Sequence, residues 1–257
     1  MLVILSPAKK QNFDALTLNC KFTQPQEKNE TSILINELKK LKTAKIKSLM
    51  SVSDNIAKLN YERFQDFDPT LYDINNAKPA LFAFEGDAYQ AFDAKTLSDT
   101  DLTYTQNHML LLSGLYGYLR PLDLMQPYRL EMKTSLQNPR GKDLYAFWGD
   151  RISKGINKAL KKANADKIIN LASGEYFKAI DQSKLNGNII TIQFKNLKNG
   201  QYKVIGINAK RARGAMARYI MQNKISDIKS LLKFNERGFT YNKALSKEDE
   251  LVFTCEH

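Results

Sequence analysis

The chain of 257 residues carries 39 basic and 27 acidic side chains, for a formal net charge of +12, and 43% of its residues are hydrophobic. This composition excludes general disorder, and no stretch approaches the 18 or so apolar residues of a transmembrane helix. An apolar run over residues 2–5 predicts a buried first strand rather than a signal peptide. The two cysteines, Cys20 and Cys255, are too few for a disulfide framework and indicate a reducing, cytoplasmic setting.

The positive charge is concentrated in the second half of the chain. Residues 129–257 hold 25 basic and 12 acidic side chains, whereas residues 51–128 hold 5 basic and 11 acidic ones. Such an excess favours a polyanionic partner such as nucleic acid, or a phosphorylated ligand. The alternative is that most of these lysines only keep the surface solvated.

Apolar periodicity predicts helices and strands that alternate along the whole chain. In the first half it predicts strands over 2–5, 79–84 and 109–113 and helices over 31–41, 44–50 and 54–64, with N-caps at Thr43 and Ser53. In the second half it predicts helices over 151–162, 173–180, 213–222 and 226–234, strands over 167–171 and 251–254, and a β-hairpin of 188–194 with 202–207 joined by Asn199-Gly200. The predicted fold class is α/β (mixed α+β), a single compact domain over 1–257 with a central mixed sheet.

Residues 43–64 resemble a helix-hairpin-helix, a motif that grips the DNA backbone without reading sequence. The apolar residues at its packing positions are Leu49, Val52, Ile56, Ala57 and Leu59. The lysines that flank its turn are Lys45, Lys47 and Lys58. Ser51 and Ser53 replace the two turn glycines, and serine adopts positive φ less readily than glycine. The alternative is an ordinary helical hairpin with Ser53 as N-cap.

The segment 113–124 follows a buried strand and is rich in Gly, Tyr, Arg and Pro. Its glycines allow close backbone approach to a ligand, and Arg120 can fork onto a phosphate or carboxylate. The alternative is a buried pair of Arg120 with Asp123 or Glu131. Arg129 is a further candidate for contact with an anion, and it lies near aromatic and acidic side chains in the sequence.

Lys210, Arg211 and Arg213 cluster near the start of the predicted helix over 213–222, and Arg218 shares a face with Arg211. Cations are unfavourable at that end of a helix unless an anion lies there. The cluster therefore predicts an anion-contacting surface, with salt bridges to nearby acids as the alternative.

Two further segments hold candidate residues because each follows a predicted strand. Lys9 lies at a strand end where ligand contacts are common. Ser173, Glu175 and Lys178 lie at a strand-to-helix junction, where an N-cap serine and a surface ion pair are the plainer interpretations. Metal ligands are sparse, since His108 and His257 are the only histidines and no zinc spacing occurs. The sequence therefore predicts no metal site and no cofactor, and it names no catalytic residue.

Six segments taken together resemble the YaaA family of bacterial peroxide-stress proteins. They are Ile-Leu-Ser-Pro-Ala-Lys at 4–9, Phe-Glu-Gly-Asp-Ala-Tyr at 84–89, the Leu-Ser-Gly-Leu-Tyr-Gly-Tyr-Leu-Arg-Pro-Leu-Asp run at 112–123, Pro-Tyr-Arg-Leu-Glu-Met at 127–132, Asn-Leu-Ala-Ser at 170–173 and Lys-Arg-Ala-Arg-Gly at 210–214. The resemblance implies a cytoplasmic α/β protein with a helix-hairpin-helix-like element, a positively charged cleft, DNA binding, and protection from hydrogen peroxide that is tied to limiting free iron.

The leading hypothesis is a stress protein that binds duplex or branched DNA without sequence preference. Its expected DNA-contacting residues are Lys9, Lys45, Lys47, Ser51, Ser53, Lys58, Arg120, Arg129, Lys210, Arg211, Arg213 and Arg218. The alternative is an enzyme acting on a nucleotide-like or other anionic small molecule in the same cleft, with a pocket that includes Ser113, Gly114, Ser173, Glu175 and Lys178. Direct iron binding by carboxylates is a third, weaker hypothesis. No membrane partner is expected, and the oligomeric state stays open, a monomer included.

Overall fold

The computed structural model describes residues 1–16 and 21–256. Its strands are β1 Leu2–Leu5, β2 Lys10–Gln11, β3 Lys78–Pro79, β4 Phe84–Glu85, β5 Met109–Ser113, β6 Gly117–Leu119, β7 Leu124–Met125, β8 Lys167–Leu171, β9 Asn188–Lys198, β10 Gln201–Lys203, β11 Thr240–Tyr241 and β12 Glu250–Cys255. Its helices are α1 Lys28–Lys39, α2 Thr43–Met50, α3 Asp54–Asp66, α4 Ala80–Ala83, α5 Asp87–Phe92, α6 Asp99–His108, α7 Leu144–Trp148, α8 Arg151–Ala163, α9 Gly174–Phe177, α10 Gly206–Gln222 and α11 Ile228–Leu231. The predicted mixed α/β class with a central mixed sheet is confirmed.

The central sheet has the strand order β11-β12-β9-β8-β1-β5-β6, with β10 paired to β9. The five inner strands β12, β9, β8, β1 and β5 run parallel, whereas β11, β6 and β10 pair antiparallel. The inner strands β1 and β5 are buried along their whole length, because α8 and α10 cover β1 and leave it no solvated face. This burial explains why β1 and β5 are continuous apolar runs rather than alternating patterns.

Leu5 pairs with Leu171, so β1 and β8 end level with each other at the carboxyl edge of the sheet. The long helix α10 packs along α5, and Gly214 makes the close approach possible. A side chain at position 214 would collide with the carbonyl oxygen of Ala88. The ends of β1 and β8 therefore face the neighbouring parts of α5 and α10 across a short gap.

Two predicted elements are wrong in type or extent. Residues 79–84 were expected as a strand but contain the helical turn α4, whose first N–H groups donate to the carbonyls of Asp123 and Pro121. A short apolar run does not distinguish a buried strand from a buried helix. The helix expected from Arg213 begins at Gly206. The prediction missed this start because the first turn contains glycine and asparagine, which are weak helix formers.

Smaller differences concern the ends of helices. Lys42 rather than Thr43 is the N-cap of α2, and Asp227 rather than Ser226 caps α11. The helix after Ser173 ends at Phe177, so it is shorter than expected. The β-hairpin turn is confirmed, with Asn199 and Gly200 both at positive φ. The second strand, expected over 202–207, is only Gln201–Lys203, because α10 already begins at Gly206. In the part of the chain that the structure describes, no helix is long and apolar enough to cross a membrane.

Candidate functional site

A cleft of about 480 Å³ opens at the carboxyl ends of β1 and β8. After β1 the next strand of the central sheet to pair with it is β5, in one direction along the strand order. After β8 the next strand is β9, in the opposite direction. The boundary between β1 and β8 is therefore the topological switch point, where open parallel sheets bind their ligands. The volume lies within the range of small-molecule sites.

The floor of the cleft is tied together by two serines at these strand ends. The backbone N–H of Ser173 donates to Ser6 Oγ at 2.8 Å, and the two hydroxyl oxygens lie 3.3 Å apart. The buried hydroxyl of Tyr89 donates to the carbonyl oxygen of Ser6 at 3.0 Å. Ser173 occupies the N-cap position of α9, but its side chain makes no cap hydrogen bond there. The hydroxyl of Ser173 therefore serves the floor of the cleft instead.

One wall of the cleft is an acid surrounded by cations. Glu131 Oε1 lies 3.2 Å from Lys9 Nζ and 3.1 Å from Arg129 Nη2, and Glu131 Oε2 lies 3.8 Å from Lys133 Nζ. The Nε of Arg129 is buried and has no acceptor among the described residues. The carboxylate of Glu131 thus holds Lys9 and Arg129 in place while one guanidinium N–H stays unused.

The opposite wall is formed by α10, from which Lys210 and Arg213 line the cleft. The Nε of Arg213 is buried and has no acceptor among the residues that the structure describes. Burial lowers the pKa of this guanidinium. Lys210 is exposed and forms no ion pair with a described residue. Both cations, one helical turn apart, therefore face the cleft unpaired.

The acidic residues that line the cleft already have partners. Glu85 pairs with Lys10 at 3.1 Å, and Asp87 pairs with Arg211 at 3.0 Å. Glu175 Oε1 accepts the backbone N–H of Lys133 at 3.2 Å. The salt-bridge alternative for the 210–213 cluster is thus correct for Arg211 and does not apply to its two neighbours that line the cleft.

Arg120 and Arg218, both expected to contact DNA, lie outside the cleft lining and are engaged within the protein. Arg120 Nη2 lies 2.7 Å from Oδ1 of the fully buried Asp123, which is the alternative that the sequence left open. Arg218 donates to the carbonyl oxygens of Phe92 and Asp93 at 2.7 Å each and thereby closes the end of α5. These contacts give both arginines a structural explanation.

Three of the five expected pocket residues do not line the cleft. Ser113 is fully buried and lies 2.6 Å from the hydroxyl of Tyr128. Gly114 packs so tightly on the backbone of Leu130 that a side chain has no room. Lys178 Nζ lies 5.1 Å from the ring centre of Tyr145 instead of pairing with Glu175. Ser113 and Gly114 therefore support the 128–131 wall from behind, and of the five only Ser173 and Glu175 reach the cleft.

Several cleft residues were not among those expected from the sequence. Ser6, Glu85, Asp87 and Tyr176 line the cleft. Glu131 was considered only as a partner for Arg120. The sequence signal for Ser6 was its position directly after a strand, which it shares with Ser173. The two strands are adjacent and parallel in the structure.

The helical hairpin, defined here as α2, residues 51–53 and α3, is present. Ser51 has φ 50° and ψ 53°, the left-handed conformation that the glycine of a helix-hairpin-helix turn supplies. Ser53 is the N-cap of α3 and accepts the N–H of Ile56. Leu59, expected as a packing residue, is 44% exposed, while Ala57 is buried. That this hairpin is a DNA-binding helix-hairpin-helix stays a prediction.

Metal ligands do not cluster in the part of the chain that the structure describes, where no three His, Cys, Asp or Glu side chains are placed to hold an ion. Cys20 and His257 lie outside the described residues. His108 stacks on Tyr104 with ring centroids 3.9 Å apart, and burial lowers its pKa. Direct iron binding thus gains no support from these residues.

The fold and the cleft define an α/β protein with a polar cleft at the switch point of the parallel part of a mixed sheet. The model of the family described as peroxide stress protein YaaA matches residues 1–245. A "UPF0246 protein" from Saccharophagus degradans is 48% identical over 254 residues, which cover 99% of each chain. The chain belongs to the peroxide stress protein YaaA family, which confirms the resemblance and is consistent with a role in oxidative stress.

Proposed function

We propose that this protein binds the sugar–phosphate backbone of duplex or branched DNA through the helical hairpin, without reading the base sequence. The observation that carries the proposal is the backbone of the turn. Ser51 takes the left-handed conformation, and the N–H groups of Ser51 and Val52 both point back to the carbonyl of Lys47. The chain then enters α3 at Asp54, directly after the turn.

The start of α3 suits a phosphate. Ser53, Asp54 and Asn55 are all exposed, and the first N–H groups of a helix have no acceptor within it. The positive end of the helix dipole adds to the attraction of these N–H groups for an anion. The hydroxyls of Ser51 and Ser53 are further hydrogen-bond donors for phosphate oxygens.

The charge around the turn supports the same partner. Lys45 and Lys58 are exposed and pair with no described carboxylate. Lys47 lies 2.9 Å from Asp54, but both side chains are exposed, and such pairs contribute little. Three amines are therefore available to phosphates on either side of the turn.

The cleft is a poorer DNA surface than the hairpin. Five basic side chains line it together with four acidic ones, and the cavity is concave. Contact of DNA with Lys9, Arg129, Lys210, Arg211 or Arg213 stays a prediction that the hairpin proposal does not need. In a cytoplasmic peroxide-stress protein, backbone binding along DNA would cover it, or assist its repair, and so lower oxidative damage.

The double variant Lys45→Gln/Lys58→Gln is expected to weaken DNA binding by about 50-fold at 0.1 M salt. Each phosphate contact contributes roughly a factor of eight through counterion release. Fluorescence anisotropy with labelled duplex and four-way-junction DNA measures the change.

The matched control is Lys161→Gln/Lys162→Gln, which removes the same charge from the exposed last turn of α8. It is expected to leave affinity within about threefold, because it touches no proposed phosphate contact. Equal losses in the two double variants would mean that net charge, rather than the hairpin, determines binding. Absence of any DNA complex with the unaltered protein would end the proposal.

A further inference from the structure

Arg213 presents a charge that the fold does not neutralise. Its side chain is half-buried, its Nε is buried without an acceptor among the described residues, and burial lowers its pKa. No described carboxylate lies within ion-pair distance of it. Burying a cation without a partner is costly, so an anion from outside the chain is the natural counter-ion.

Among the basic side chains of α10, those that do not line the cleft have partners within the protein. Arg211 pairs with Asp87, and Arg218 closes the end of α5. Lys210 lies one turn before Arg213, on the same face of the helix, and lines the cleft with it. The helix thus directs two unpaired cations into the cavity and satisfies the others elsewhere.

The remaining cations of the cleft have acids beside them. Lys9 and Arg129 share Glu131, and Lys10 pairs with Glu85. Lys210 and Arg213 are therefore the two cleft cations without a carboxylate partner among the described residues, and their charge matches that of a phosphomonoester, about −1.5 to −2 near pH 7. A carboxylate brings half of that charge. The flat guanidinium of Arg213 suits the tetrahedral phosphate oxygens, since it can donate two parallel hydrogen bonds.

The rest of the cleft can hold the body of a small polar molecule. Ser6, Ser173 and Glu175 present hydroxyl and carboxylate groups, while Pro7 and Leu171 add apolar surface. The cavity of about 480 Å³ is of a size for a molecule up to a nucleotide. A double helix is too wide to enter it and reach the buried Nε of Arg213.

We infer that the cleft between the ends of β1 and β8 binds a small phosphomonoester, with the phosphate held by Arg213 and Lys210 of α10. This site is separate from the helical hairpin. The inference therefore does not depend on DNA binding by the hairpin.

Isothermal titration of the full chain with inorganic phosphate, adenosine 5′-monophosphate, adenosine and acetate tests the inference. Phosphate and the monophosphate are expected to bind and to raise the melting temperature, whereas adenosine and acetate are not. Arg213→Met is expected to weaken binding of the monophosphate roughly 100-fold, and Lys210→Gln about tenfold, because each removes hydrogen bonds to a charged group. Lys161→Gln, on the exposed end of α8, is the matched control and is expected to leave the affinity unchanged.

Folding and DNA binding are measured on the same variants. Arg213→Met is expected to melt, without ligand, at or above the temperature of the unaltered protein, because it removes an unpaired buried cation. Should that variant fail to fold, the exposed Lys210 still provides the test. Lys45→Gln/Lys58→Gln is expected to keep monophosphate affinity.

Three results would overturn the inference: no binding of phosphate or the monophosphate, equal affinity in Lys210→Gln and the unaltered protein, or displacement of the monophosphate by duplex DNA together with loss of DNA binding in the cleft variants. The last result would make the cleft a DNA site.

Discussion

Replacing Arg120 with methionine is expected to lower the free energy of unfolding by about 3–5 kcal/mol, the range for removing one partner of a buried ion pair. Asp123 is fully buried and accepts hydrogen bonds from the Arg120 side chain, from the Arg120 backbone N–H at 2.8 Å and from Thr23 Oγ1 at 2.6 Å. Without the guanidinium, the carboxylate keeps its burial and loses its counter-ion. Chemical denaturation at pH 7 measures the loss.

The pH dependence of this variant identifies the cause. Burial already raises the pKa of Asp123 in the native protein, and removal of Arg120 raises it further. A carboxyl whose folded pKa exceeds its unfolded pKa destabilises the fold as pH rises above the unfolded value, near 3.9. The Arg120→Met protein is therefore expected to lose least stability near pH 4 and most near pH 8.

The double variant Arg120→Met/Asp123→Asn is the control. In Asp123→Asn the amide oxygen can accept from the Arg120 backbone N–H while the amide NH2 donates to the Thr23 hydroxyl oxygen, and no buried charge remains. The double variant is therefore expected to be more stable than Arg120→Met alone at pH 7. If Arg120→Met folds with native stability and instead loses DNA binding, Arg120 is a nucleic-acid contact and the structural interpretation is wrong.

Replacing Trp148 with alanine is expected to cost about 3–5 kcal/mol, the range for deleting a large buried aromatic side chain. Trp148 is fully buried, packs edge-to-face on Phe147 with ring centroids 5.1 Å apart, and donates from Nε1 to the carbonyl oxygen of Gly114 at 3.0 Å. Gly114 in turn packs on the backbone of Leu130 in the cleft wall. The substitution therefore leaves a cavity and an unsatisfied carbonyl behind that wall.

Trp148→Phe separates the two causes, since it keeps most of the ring and removes the N–H donor. Its expected loss is about 1–3 kcal/mol, the cost of leaving one buried acceptor without a partner. Thermal and denaturant unfolding measure both variants. A loss in Trp148→Ala below about 1 kcal/mol would show that the segment 113–119 does not depend on this side chain.

The buried strands of the sheet could be predicted because their apolar runs are continuous and end at turn residues. β1, β5 and β8 lie where the pattern places them, within a residue. The segment 79–84 was predicted as a strand and was wrong, because a short apolar run suits a helical turn as well as a strand. The first turn of α10 was missed because it contains Gly206 and Asn208, which are weak helix formers.

The residue types of the site could be predicted better than their partners. Lys9, Arg129, Lys210, Arg213, Ser173 and Glu175 all line the cleft, as an anion-binding interpretation of these segments expects. Arg120 and Arg218 carry the same charge but serve internal carboxylate and carbonyl groups. A sequence shows that a cation is present, whereas only the packing of distant segments decides whether it faces a ligand or an internal partner.

The two proposed anion-binding surfaces differ in design. The turn of the helical hairpin has exposed serines, and it offers amines and N–H groups that suit a long, repeating phosphate backbone. The cleft is concave and nearly balanced in charge, with two unpaired cations on one wall, and it suits a single phosphate.

The salt dependence of DNA affinity is the most direct test of the hairpin as a backbone-binding element. For the unaltered protein, a plot of log affinity against log salt concentration is expected to be linear, with a slope of about −0.9 for each phosphate contacted. Lys45→Gln/Lys58→Gln is expected to have a slope shallower by about 1.8, because two contacts are lost. A flat plot, or identical slopes for the two proteins, would contradict phosphate binding by the hairpin.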